Sequence, residues 1–171
     1  IAFITPSLFT LAPTWRRDPQ IVKLAAPTLS GFLQTHGYED IRQYDFEVQV
    51  FDLQREQPEE LDLTVFFDDD AVDRFLKDDD PVLRKHTERI CDTLEIEEAD
   101  LFAFSCASAL EIYADMHAAG NINMAMSKIL KERFPNCKTA VGGLQISPES
   151  RHQTEYQAML TRCNSLDYCV S

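Results

Sequence analysis

The stretch ADLFAFSCAS, residues 99–108, decides how this chain folds. Leu101 to Phe104 form an apolar run of strand length, and small and polar residues take over at Ser105. A short apolar run bounded in this way reads as a buried strand. The segments on either side have a different period. Before it, PVLRKHTERICDTLEI (81–96) brings Leu83, Thr87, Ile90, Cys91 and Leu94 near one helical stripe. After it, Ile122, Met126, Ile129 and Leu130 recur at helical spacing, which predicts an amphipathic helix over 121–134.

The same alternation extends to both ends. IAFIT (1–5) is a short strand, and a loop with Pro6, Pro13 and Pro19 follows it. PTLSGFLQTHG (27–37) is a helix opened by Pro27 and stopped by Gly37, with His36 as a helix-end residue. DIRQYDFE (40–47) holds a second strand ending near Asp45. An acidic stretch with FFDDD and KDDDP then reads as irregular, solvated surface. CKTAVGG (137–143) is a fourth strand. SPESRHQTEYQAMLTRC (147–163) is a helix with Ser147 as N-cap and Pro148 at its first position, and DYCVS (167–171) is a fifth strand.

Strands separated by helices imply a parallel sheet covered on both faces. The expected architecture is α/β: a flavodoxin-like (Rossmann-like) doubly wound, five-stranded parallel sheet, forming one domain over residues 1–171. Ligands of such sheets bind beyond the carboxyl ends of the strands. The candidate binding residues are therefore Thr5, Pro6 and Ser7 after the first strand and Asp45 after the second. Ser105, Cys106, Ala107 and Ser108 follow the third, and Gly142, Gly143 and Leu144 the fourth. The SCAS turn offers two hydroxyls among small side chains. The glycine pair permits positive φ and the close passage of a flat group.

Composition narrows the function. Sixteen basic against twenty-nine acidic residues give a formal charge of −13, and adjacent basic residues occur only at Arg16-Arg17 and Arg84-Lys85. Nucleic-acid binding, which draws on a basic surface, is not expected. No run of about eighteen apolar residues exists to span a membrane. Five scattered cysteines without CxxC spacing read as buried thiols in a reducing cytoplasm. There is no GxGxxG or GxxxxGK[ST] motif, and no Ser-His-Asp or Cys-His arrangement can be assembled. No catalytic residue is assigned.

Taken in order, APTLSGFLQTHGYEDIRQYD, EADLFAFSCAS, KILKERFPNCKTAVGGLQISPE and LDYCVS resemble the cobalamin-binding domain of radical S-adenosylmethionine enzymes. The resemblance covers nearly the whole chain. It implies a domain that holds cobalamin base-off, its nucleotide tail near Ser105, Ala107, Ser108, Gly142 and Gly143, and the corrin over Thr5, Pro6, Ser7 and the following loop. It also implies a parent enzyme, a methyltransferase or radical rearrangement enzyme, with a C-terminal barrel carrying a 4Fe-4S cluster and S-adenosylmethionine. The chain lacks an initiator methionine and stops at CVS without that barrel's CxxxCxxC, so it is expected to be the cofactor-holding part and not to catalyse alone.

One motif of the wider corrinoid-binding fold is displaced. Asp115-x-His117-x-x-Gly120 matches the Asp-x-His-x-x-Gly pattern whose histidine binds cobalt from below, but that pattern belongs after the first strand. The corresponding loop here, TPSLFTLAPTW (5–15), has no histidine. His117 is accordingly expected to precede the 121–134 helix, with Asp115 or Asn121 as its cap, and not to ligate metal. Two alternatives remain: a cobalamin-free interaction or substrate-positioning module of the same fold, and a flavodoxin-like flavin or phospho-receiver domain.

Overall fold

The computed structural model describes residues 1–5, 25–105, 113–142 and 151–170. The strands are β1 (Ala2–Thr5), β2 (Arg42–Asp45), β3 (Leu101–Ser105), β4 (Lys138–Gly142) and β5 (Tyr168–Val170). The helices are α1 (Ala25–Thr35), α2 (Phe46–Glu56), α3 (Asp69–Lys77), α4 (Pro81–Thr93), α5 (Tyr113–Arg133) and α6 (Arg151–Arg162). All strand pairs are parallel, in the order β2-β1-β3-β4-β5. This is the flavodoxin-like, doubly wound order anticipated above.

That order distributes the helices unevenly. β1 to β2 steps one way along the sheet and every later connection steps the other way. Right-handed crossovers then put α1 on one face and α2 to α6 on the opposite face. Side chains follow suit. Tyr44, Ile4, Phe104, Val141 and Cys169 form one cross-strand row facing the helix-rich layer, where Phe134 at the end of α5 stacks on Phe102. Gln43, Phe3, Ala103, Ala140 and Tyr168 form the alternate row on the α1 face, and Gln43 Nε2 donates to Ser30 Oγ of α1 at 2.9 Å.

Gly37 ends α1 at φ 88°, with the Tyr38 amide donating to the Leu33 carbonyl and the Gly37 amide to that of Gln34. These two bonds satisfy carbonyls that would otherwise lack partners. Pro27 lies two residues inside the helix, still in the first turn, where its missing N–H costs nothing. His36 does sit at this end, its Nδ1 2.8 Å from the Phe32 carbonyl.

Residues 46–80 are not irregular as expected. They build α2, a 3₁₀ turn at Leu63–Phe67, and α3. Aspartates start these elements: the carboxylates of Asp62, Asp68 and Asp80 accept from the amides of Thr64, Ala71, and Val82 with Leu83. Between the exposed charges Leu61, Leu63, Phe66, Val72 and Phe75 are fully buried, each contributing roughly 1.5–3 kcal/mol. Lys128 of α5 closes the other end of α3, donating to the Phe75 and Asp78 carbonyls.

α5 also differs. It begins at Tyr113, so Asp115 and Asn121 lie within it and neither is its cap. Asn121 is 1% exposed and its Nδ2 donates at 2.8 Å to both the Phe66 carbonyl and Asp69 Oδ1. It fastens the acidic segment to α5. Ser147 and Pro148 lie outside the described residues. Among the described residues, no helix is long and apolar enough to cross a membrane.

Asp167 fixes the start of β5 against β4. Its Oδ2 accepts from the Thr139 amide at 2.8 Å and lies 2.7 Å from Lys131 Nζ, and its Oδ1 lies 3.2 Å from Lys138 Nζ. Burial alone would raise this carboxyl, but hydrogen bonds from Lys131, Thr139 and Lys138 outweigh it and draw it from 3.8 down to about 2. A depressed carboxyl stabilises the fold above its unfolded value and stops doing so as pH falls through the folded one. Asp167→Asn is therefore expected to lose about 2 kcal/mol in urea unfolding at neutral pH. The difference from the parent chain should shrink steadily below about pH 4. A constant difference down to about pH 2 would contradict this account.

Candidate cofactor-binding edge of the sheet

The carboxyl ends of the strands form one edge. Thr5 pairs with Asp45, Ser105 with Gly142, and Gly142 with Val170. Ile4 pairs with Phe104, so Thr5 and Ser105 are the next residues along their two strands. Four of the residues singled out from the sequence, Asp45, Thr5, Ser105 and Gly142, thus stand in one transverse row. Pro6, Ser7, Cys106, Ala107, Ser108, Gly143 and Leu144 lie outside the described residues. β1 and β3 are neighbours whose outgoing connections pass to opposite faces, which makes the space beyond Thr5 and Ser105 the topological switch point.

The α1 face beneath this row has a distinct surface. Because side chains alternate along a strand, the phenylalanines of β3 (Phe102, Phe104) point into the helix-rich layer and Ala103 and Ser105 point the other way. On β4 the residues paired with them are Ala140 and Gly142. Ala103, Ser105, Ala140 and Gly142 make a shelf with no side chain larger than serine. Phe3 and α1 bound it on one side, Tyr168 and Val170 on the other, at 52% and 59% exposure. Ala103 and Ala140 were not singled out from the sequence. The alternation in Leu-Phe-Ala-Phe-Ser was the signal that could have found Ala103.

Gly142 has a reason within the sheet itself. A Cβ there would come within 3.0 Å of the Val170 carbonyl oxygen and 3.4 Å of its Cβ. The close approach it permits is that of β5, and Gly37 is the one glycine with positive φ among the described residues.

His117 is the fifth residue of α5 and so does not precede the helix. Among the described residues no group of three or more histidine, cysteine, aspartate or glutamate side chains could hold a metal ion. No disulfide joins the described cysteines; Cys91, Cys137 and Cys163 are buried and Cys169 half-buried. Burial pushes the Cys91 thiol up to about 12 and raises those of Cys137 and Cys169, which disfavours the reactive thiolate. No protein-family model, no curated protein and no solved structure matches the chain.

The packing at Gly142 makes a firm expectation. Gly142→Ala should force β5 away from β4 and cost about 1–3 kcal/mol in chemical denaturation. An unchanged midpoint would mean that β5 does not press on this position.

Proposed function

We propose that this domain binds cobalamin base-off, as the cofactor-holding part of a cobalamin-dependent radical S-adenosylmethionine enzyme, a methyltransferase or a radical rearrangement enzyme. The observation that carries the reading is the small-residue shelf of Ala103, Ser105, Ala140 and Gly142 beside the switch point. A flat benzimidazole can lie against such a surface at van der Waals distance, where a leucine or phenylalanine would hold it off. Ser105 supplies a hydroxyl at the rim and Asp45 a carboxylate two strands away, both able to receive the polar part of a nucleotide tail. The resemblance stated above supports the same placement, with the corrin over Thr5, Pro6 and Ser7.

When bound, the corrinoid would supply alkyl-transfer or redox chemistry at cobalt. The chain's own part is to hold the tail away from the metal and exclude water from it. No imidazole from the segment after β1 lies beneath the cobalt in this reading, since residues 5–15 contain no histidine. The reactive partner would be a C-terminal radical S-adenosylmethionine barrel with its 4Fe-4S cluster. A cytoplasmic setting accompanies the reading, in keeping with described cysteines that no disulfide joins and that are largely buried.

Hydroxocobalamin added to the purified chain, followed by desalting, should leave about one equivalent of corrinoid with a base-off visible spectrum. Ala103→Phe, which fills the shelf, should abolish retention while circular dichroism stays native. His117→Ala should keep the parent spectrum. A folded chain that elutes free of corrinoid overturns the proposal and favours a cofactor-free interaction module. A changed His117→Ala spectrum would make that histidine a ligand.

A further inference from the structure

His86 lies far along the chain from the candidate edge residues and has no part in the cobalamin reading. It is on the inner side of α4 and only 7% exposed. Its Nδ1 accepts the backbone N–H of Asp62 at 3.2 Å. An imidazole nitrogen accepts only when it carries no proton, so the bond fixes the neutral ring with its hydrogen on Nε2.

Asp62 is the hinge of the segment that this bond holds down. Its carboxylate caps the 3₁₀ turn by accepting from the Thr64 amide and hydroxyl, and its neighbours Leu61 and Leu63 are fully buried. The segment is strongly acidic, with Glu56, Glu59, Glu60, Asp68, Asp69 and Asp70 all exposed. It therefore lies on α4 against its own charge repulsion. The Asn121 bond to the Phe66 carbonyl fastens its far end to α5 and does not titrate.

We infer that His86 is a proton-operated latch: neutral, it clamps the 3₁₀ turn at Leu63–Phe67 onto α4, and protonated, it releases that turn while the sheet stays folded. A protonated ring would set an N–H against the Asp62 N–H, two donors face to face. The environment favours the neutral form. Burial lowers the ring's proton affinity first and Lys85 on the same helix lowers it further, while the Asp62 carboxylate and the Glu60 carbonyl pull the other way and do not prevail. Of the charged groups on the other helices packed against α4, Arg55 of α2 is held by Asp52 and Glu56, Arg74 of α3 by Asp80, Lys128 of α5 by two carbonyls, and Glu132 and Arg133 of α5 by Arg84 and Asp92 of α4. Arg89, on α4 itself, is held by Glu60. The sign follows. A histidine depressed in the folded state binds protons more readily once released, so the latch is fully closed above an ordinary imidazole value of about 6.5 and weakens as pH falls below it.

Hydrogen exchange of the full chain tests this, with rates corrected for intrinsic pH dependence. Between about pH 7.5 and 5.5, amides of residues 61–67 should lose protection by a few-fold, up to about tenfold, the limit set by an ordinary imidazole titrating one unit above the lower pH. Amides of β3 and β4 should keep theirs. His86→Asn offers an acceptor oxygen near the Nδ1 position without titrating, and should flatten the pH response of 61–67. His86→Leu should leave that segment unprotected at both pH values. Equal corrected protection at both pH values in the parent chain would overturn the latch, as would a simultaneous loss across the strands. A pH response retained in the folded His86→Asn variant would assign it to the carboxylates instead.

Discussion

Phe102 and Phe104 bind β3, the middle strand, to the helices on one side of the sheet, and the rest of the architecture depends on that commitment. Two large rings on alternate residues leave Ala103 and Ser105 to the other side. The same division passes through the register to Ala140 and Gly142 on β4. One face of the sheet thus carries a thick layer of aromatic and aliphatic packing, and the other carries small residues with α1 at its margin. Bulky core and small-residue surface are separated across a single layer of backbone.

The acidic character of the chain is organised by the same economy of position. Carboxylates in 46–80 sit where backbone amides need acceptors, at the starts of the 3₁₀ turn, α3 and α4, and where helix dipoles favour negative charge. Other carboxylates are paired with arginines, as in Arg162 with Asp73 and Arg84 with Asp79, Glu88 and Glu132. Such exposed pairs contribute little individually. The polar contacts with the most consequence are the buried ones, Asn121 on Phe66 and His86 on Asp62, because each satisfies a backbone group that water cannot reach easily. They fasten the acidic segment to α4 and α5 beside its buried leucines and phenylalanines.

The carboxyl edge gathers polar and small residues from four strands. Asp45 and Ser105 bring polar side chains to the row, and Ala103, Ala140 and Gly142 bring small ones. No described constellation there resembles a nucleophile with its base or a closed metal cage.

Much of this was legible in the sequence because strand and helix periods are local properties. The strands β1, β3 and β4 were placed by their apolar runs, and the ends at Thr5, Ser105 and Gly142 followed from where those runs give way to small or polar residues. The beginning of α5 was not legible, since the apolar positions that set its period, Ile122, Met126, Ile129 and Leu130, all lie in its later part. The helices of 46–80 were hidden because aspartate runs read as loop while serving as caps. Sequence alone determined the alternating elements and so the α/β class, through geometry that each segment carries by itself. The strand order, the shelf formed by β3 with β4, the fit of Gly142 against Val170 and the partner of His86 were decided only in the tertiary structure. Each joins residues that no local period connects, such as Asn121 and Phe66, 55 positions apart.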